Sequence, residues 1–217
     1  MLTDAQIERY GRQILLPEVG GRGQERLLAA RVAVAGAGPA AVAAVTLLGR
    51  AGLGTLHVSA RLGPLPELSP DCRLHRDPAS LEGGLADVAI ALLDLASVAD
   101  DAPAHGVPFG LEQASRPFVL GLLAGDRILV ATLVGRPCMR CWGQALAPGE
   151  LGGDRQVPGA AHVAPARLVL GALAANEVLR VLLSPPVHGR LTTLGREGSA
   201  TARDLATAGC SCCAGSP

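Results

Sequence analysis

The stretch that decides the fold is Arg31-Val32-Ala33-Val34-Ala35-Gly36-Ala37-Gly38-Pro39-Ala40-Ala41-Val42-Ala43-Ala44-Val45-Thr46-Leu47-Leu48-Gly49-Arg50. Its uncharged core, Val32 to Gly49, is long enough to raise the question of a membrane span. The Gly36-Ala37-Gly38-Pro39 break argues against one. A short apolar run, a glycine turn and a helix with proline in its tolerated first turn read instead as strand, turn and helix. Thr55 to Val58 reads as the next strand, so residues 31 to 58 form a βαβ unit. A glycine turn between a strand and a helix lets the backbone approach a pyrophosphate at the helix N-terminus, and the small third position of this GxGxxA variant allows close helix–strand packing. Gly36 and Gly38 are therefore candidate nucleotide-binding residues. An ordinary tight βα turn would look the same.

Working outward, Thr3-Asp4-Ala5-Gln6 opens a first helix through Tyr10 with a capping box, and Pro17 and Gly20 to Gly23 end that arm. A second helix is predicted over Gln24 to Ala30. Beyond the βαβ unit comes a Pro-rich irregular segment, Leu62 to Pro70. Val88 to Leu93 is the continuous apolar run of a parallel strand covered on both faces. Asp94 ends it, at the carboxyl end where open α/β sheets gather ligands; an aspartate capping a turn would sit there equally well. Phe118 to Leu123 and Ile128 to Val134 make a hairpin. Pro165 to Leu183 is the longest helical pattern, and Leu191 to Leu194 a last strand. The expected fold is α/β: a Rossmann-like, mostly parallel sheet with helices on both faces and an antiparallel extension. We read one domain over 1–217, with an N-terminal helical arm (1–30), a core (31–135) and a C-terminal part (136–217) holding the cysteines, the long helix and the tail.

Composition narrows the chemistry. All 19 basic side chains are arginine, there is no lysine, and Asn176 is the one asparagine among 217 residues. Without lysine there is no Schiff-base chemistry and no Walker-type phosphate loop. Balanced charge, 19 basic against 19 acidic groups, argues against a nucleic-acid partner. Met1-Leu2-Thr3-Asp4 lacks a basic-then-apolar leader, so a cytoplasmic location is expected, without a membrane anchor. In a reducing compartment, Cys138-Met139-Arg140-Cys141 and Cys210-Ser211-Cys212-Cys213 read as two CxxC pairs. Cys138, Cys141, Cys210 and Cys213 suit a tetrahedral structural zinc that ties the tail to the chain; redox thiols are the alternative. Cys72 and Cys212 are left without a role. The five histidines show no ligand spacing.

Arg9-Tyr10-Gly11-Arg12-Gln13-Ile14-Leu15-Leu16, Gly23-Gln24-Glu25-Arg26-Leu27, the Val32 to Gly38 turn, Pro137-Cys138-Met139-Arg140-Cys141, Val163-Ala164-Pro165 and the terminal CxxC together resemble the ThiF/MoeB family. These are the bacterial relatives of ubiquitin-activating enzymes. The resemblance covers nearly the whole chain. It implies a Rossmann-like fold, a four-cysteine zinc, usually a dimer, and use of ATP and magnesium to adenylate the C-terminal glycine of a small ubiquitin-like sulfur carrier.

On the family's pattern Arg12 matches the arginine that contacts phosphate across the dimer, Gly36 and Gly38 match the nucleotide turn, and Asp94 matches a motif aspartate that would hold magnesium. Other positions depart from it. Ser59 and Arg61 stand in Val58-Ser59-Ala60-Arg61 where ribose-holding acids are expected. Leu95 replaces the asparagine after Asp94. The asparagine–arginine element and the phosphate-binding lysine have no counterpart, and Val157 takes the place of the transfer cysteine. Adenylation needs cations and a metal against developing phosphate charge, and each lost contact costs about 2–4 kcal/mol of transition-state stabilisation. The expectation is a catalytically impaired member, lacking ATP and magnesium chemistry. It would form a homodimer, or a heterodimer with a paralogue, or a scaffold for a ubiquitin-like sulfur carrier or peptide. The alternative is an active ATP-dependent adenylyltransferase with a rebuilt site. An NAD-dependent oxidoreductase would rest on the glycine turn alone, with no acid at the ribose position.

Overall fold

The computed structural model describes residues 1–76, 86–94, 116–124, 127–134, 160–186, 188–195 and 197–205. Within them, eight strands form one sheet in the order β3-β2-β1-β4-β5-β6-β7-β8. The strands are β1 (Arg31–Ala35), β2 (Thr55–Val58), β3 (Arg73–His75), β4 (Val88–Asp94), β5 (Phe118–Ala124), β6 (Arg127–Leu133), β7 (Gly189–Leu194) and β8 (Ala200–Leu205). From β3 through β5 neighbours run parallel; from β5 through β8 they run antiparallel. The antiparallel extension is thus present as expected, and strand order reverses at β1, between β2 and β4.

Among the described residues four helices accompany the sheet: α1 (Asp4–Ile14), α2 (Gly20–Ala29), α3 (Pro39–Arg50) and α4 (Ala160–Leu183). Helices α3 and α4 cover one face. Val45 and Leu48 of α3, with Leu170, Ala174 and Val178 of α4, pack on Val34, Leu56, Ile90, Val119 and Val130. The two helices cross closely because Gly171 lacks a side chain: a Cβ there would lie 2.2 Å from the Ala40 carbonyl oxygen. The other face carries small residues in its middle, Ala33, Ala35, Ala89 and Ala91, beside Phe118, Leu120 and Leu122, all buried. Among the described residues no helix contributes to that second cluster; the cysteine region lies outside them. Burial on both faces explains why β4 and β5 are unbroken apolar runs rather than alternating ones. No helix among the described residues is long and apolar enough to cross a membrane.

Several element limits differ from the sequence reading. The first helix continues to Ile14, and α2 begins at Gly20 rather than Gln24. Glycine is a poor helix former, but Gly23 is buried and its missing side chain gives Leu183 of α4 room, since a Cβ would lie 2.9 Å from that leucine. Packing overrides propensity there. Helix α4 starts at Ala160, five residues before Pro165, which removes one internal amide bond without ending the helix. Strands β3 and β8 were not anticipated, because both are largely exposed and lack an apolar pattern.

Candidate functional site

The site expected from sequence lies at the carboxyl ends of β1, β2 and β4. Gly36 follows β1 with φ +138°, and a Cβ there would sit 3.0 Å from the Leu92 carbonyl oxygen of β4. Gly38 is the N-cap of α3 with φ +90°, a conformation that disfavours any side chain, and nothing lies within 4 Å of where its Cβ would be. No side chain caps α3, so its first-turn amides are left for solvent or an anion, less the one that Pro39 lacks. The predicted glycine turn is therefore open at the start of α3. Asp94 is the last residue of β4, in register with Leu123 of β5. Its backbone stands at the expected strand end.

Beyond β2 the chain makes a compact turn. The Arg61 amide donates to Ser59 Oγ at 3.2 Å and the Leu62 amide to the Ser59 carbonyl at 3.0 Å. Arg76 donates to the Leu62 and Gly63 carbonyls. The chain positions directly after β2 hold Ser59 and Arg61 rather than an acid. Within β2, His57 is buried and stacks on His75 of β3, ring centroids 5.1 Å apart and planes 19° from parallel. Its Nδ1 has no hydrogen-bond partner among the described residues. Burial, then the neighbouring charges of His75 and Arg31, hold its pKa below the ordinary histidine value.

Arg12 lies in the last turn of α1, exposed and without an ion pair among the described residues. That helix is tied down by an anchor that sequence reading missed. Gln6 Nε2 (3.1 Å), Arg9 Nη1 (2.5 Å) and the Tyr10 hydroxyl (2.9 Å) all donate to Asp71, and Ser69 shares the Tyr10 hydroxyl. Positions 6, 9 and 10 share one helical face, which was the available signal. Burial would raise the Asp71 pKa, but the hydrogen bonds from Gln6, Tyr10 and Arg9 outweigh it and hold the carboxyl below its usual range. Burial and Asp71 push the Tyr10 phenol up. Cys72, next in sequence, is half-buried in apolar surroundings that push its thiol up to about 11, which makes it a poor nucleophile. Cys138, Cys141, Cys210 and Cys213 lie outside the described residues, as does Leu95.

Comparison with known proteins agrees with the geometry. No family model matches the chain. Among curated proteins, the adenylyltransferase and sulfurtransferase MOCS3 of Anopheles gambiae is 30% identical over 92% of this chain and 52% of its own length. The sulfur carrier protein adenylyltransferase of Thermus thermophilus is 46% identical over 56 residues, 26% of this chain and 21% of that protein. The chain thus spans about half, or less, of the length of the curated relatives it matches. Among solved structures, E. coli MccB crystallised with MccA superposes with a TM-score of 0.61 at 16% identity, over 94% of this chain and 74% of that one; this likeness bears on the fold. The strand order, the glycine turn and these relatives together place the chain in the ThiF/MoeB family.

Proposed function

We propose that this chain is a catalytically impaired ThiF/MoeB-family protein. It acts as a partner subunit, or as a scaffold that binds a ubiquitin-like sulfur carrier or a peptide. One observation carries the reading: at the strand end where the family holds ribose with an acid, the chain places Ser59 and Arg61, and no lysine exists to meet the phosphates. ATP with magnesium does not fit that residue set. A carboxylate can accept from both ribose hydroxyls, whereas a guanidinium can only donate to them. Several lost contacts in one site leave little useful turnover, even when their costs are not additive.

Arg12 supports the partner role. A cation on an anchored helix, facing solvent, suits a contact to the nucleotide of a second subunit, as the family's matching arginine makes. The relatives' names speak of sulfur carriers and adenylyl transfer for those proteins; here they supply the class of partner. We further propose a structural zinc on Cys138, Cys141, Cys210 and Cys213. Two CxxC pairs of thiolates are a fitting donor set, and a metal would close the tail onto the chain. Stoichiometric zinc in the purified protein supports it; six freely titratable thiols without metal would reject it.

The functional test is ATP binding and pyrophosphate exchange with the isolated protein, with and without a carrier protein. We expect neither. Micromolar ATP binding with carrier-dependent exchange would show an active adenylyltransferase, the second reading, which Asp94 at the end of β4 favours. In that case Asp94→Ala should abolish exchange, and unchanged exchange would remove the magnesium role from Asp94.

A further inference from the structure

The register of the sheet sets His57 and His75, which belong to different strands, side by side. Strands β2 and β3 run parallel with His57 level with His75. His57 is in turn level with Ala33 of β1, and Ala33 with Ala89 of β4. Level residues of neighbouring strands share a face of the sheet, and Ala33 and Ala89 belong to the core cluster of the second face. Both imidazoles therefore stand on the face opposite α3, at the β3 edge, with ring centroids 5.1 Å apart.

Packing alone does not account for this pair. His57 is only 7% exposed, level with two buried alanines, and its Nδ1 is buried without a hydrogen-bond partner. Neither ring makes a hydrogen bond among the described residues. A buried nitrogen that gives up water and gains no partner destabilises the fold, and an apolar side chain would fill the place without that penalty. His75 is exposed, so its ring has room to turn. Two imidazole nitrogens on one tetrahedral ion, each at about 2.0–2.1 Å, stand roughly 3.4 Å apart. A turn of His75 brings rings at the present spacing to that separation. No group of three or more His, Cys, Asp or Glu able to hold a metal occurs among the described residues, so two imidazoles and water make up the donor set considered. Arg31 and Arg73 begin β1 and β3 on the same face, and Asp87 offsets Arg31 at 3.6 Å. These cations weaken binding of a further cation, which keeps the expected affinity modest.

We propose that His57, through its unpartnered Nδ1, and His75 form a binding site for a divalent transition ion of the zinc or nickel type. Neutral imidazole suits both ions. Bound there, the ion bridges β2 to β3, an edge strand of three residues, and clamps that edge of the sheet. The site is separate from the zinc proposed on the four cysteines. It lies on the face away from α3 and does not rest on the scaffold reading.

Calorimetric titration of the full chain with nickel chloride, after purification in zinc and removal of the excess, tests it. We expect one nickel ion to bind in the micromolar range. His75→Asn should weaken that binding at least about 10-fold, as should His57→Phe, whereas replacing the exposed His188 by Asn should leave it unchanged. Nickel should also slow amide exchange of β3 in the native chain and not in His75→Asn. Because His75 is exposed, its replacement should leave the fold intact, which circular dichroism checks. Absence of binding at millimolar nickel overturns the proposal, as does binding that survives His75→Asn. A thiolate-to-nickel charge-transfer band rising with the titration overturns it too, since cysteines are then the ligands. None of these results bears on the scaffold reading.

Discussion

The Tyr10 hydroxyl of α1 donates to the Asp71 carboxylate at 2.9 Å, across 61 residues of sequence. That bond and its neighbours from Gln6 and Arg9 join a peripheral helix to the crossover between β2 and β3. Apart from Tyr10, α1 buries no residue, so its place depends on polar contacts more than on apolar area.

Asp71→Ala should therefore release α1. Three donors lose one acceptor, and the half-buried ones are left unsatisfied, at a cost of about 1–3 kcal/mol. Urea denaturation should show a lower midpoint, and amide exchange in residues 4–14 should rise more than in the sheet. Uniform exchange would refute the anchor.

The same carboxylate gives an acid limb to stability. Its folded pKa lies below the unfolded value, so its contribution is present above about pH 4 and is lost as pH falls through the folded value. Asp71→Asn should flatten that limb; an unchanged limb between pH 5 and 3 would assign it to other groups.

His57 acts in the next range up. With its folded pKa lowered by burial first and by His75 and Arg31 after that, the unfolded chain binds the proton more readily. Stability is full above about pH 6.5 and declines below it. The urea midpoint should drop between pH 7.5 and 5.5, and by less in His57→Phe. Equal drops would rule out His57 as the source.

Beneath α4, Thr132 Oγ1 donates to Glu177 Oε2 at 2.7 Å, and Arg180 donates to the same oxygen. Thr132→Val removes a buried bond and should cost about 1 kcal/mol. Glu177→Ala should cost more, because it strands a fully buried hydroxyl as well as the guanidinium. Thermal denaturation that ranks the two in reverse would contradict this brace.

How far the fold was legible follows from where burial leaves a pattern. The βαβ unit from Arg31 to Val58 and the hairpin at Phe118 showed in sequence because two-sided burial forces apolar runs there. Strand β3 did not, since at this edge Arg73 and His75 are exposed and Leu74 alone packs on the core, too little for an apolar pattern. Strand β8, Ala200–Leu205, is positioned by its register with β7 rather than by any apolar alternation of its own. Of the candidate site, the glycine turn and Arg12 were readable as motif residues. The Asp71 anchor and the His57–His75 stack join residues distant in sequence or on separate strands, so a single chain read in order gives neither.

The contact between Gly171 and Ala40 has a mechanical consequence. Ala40 is two residues from Gly38, and at this crossing backbone meets side-chain-free backbone, with no flexible group between to absorb movement. Helix α4 and the start of α3 therefore shift together, like a rod resting on the hinge it moves. The exposed Leu168 and Val169 of α4 lie within one helical turn of that crossing.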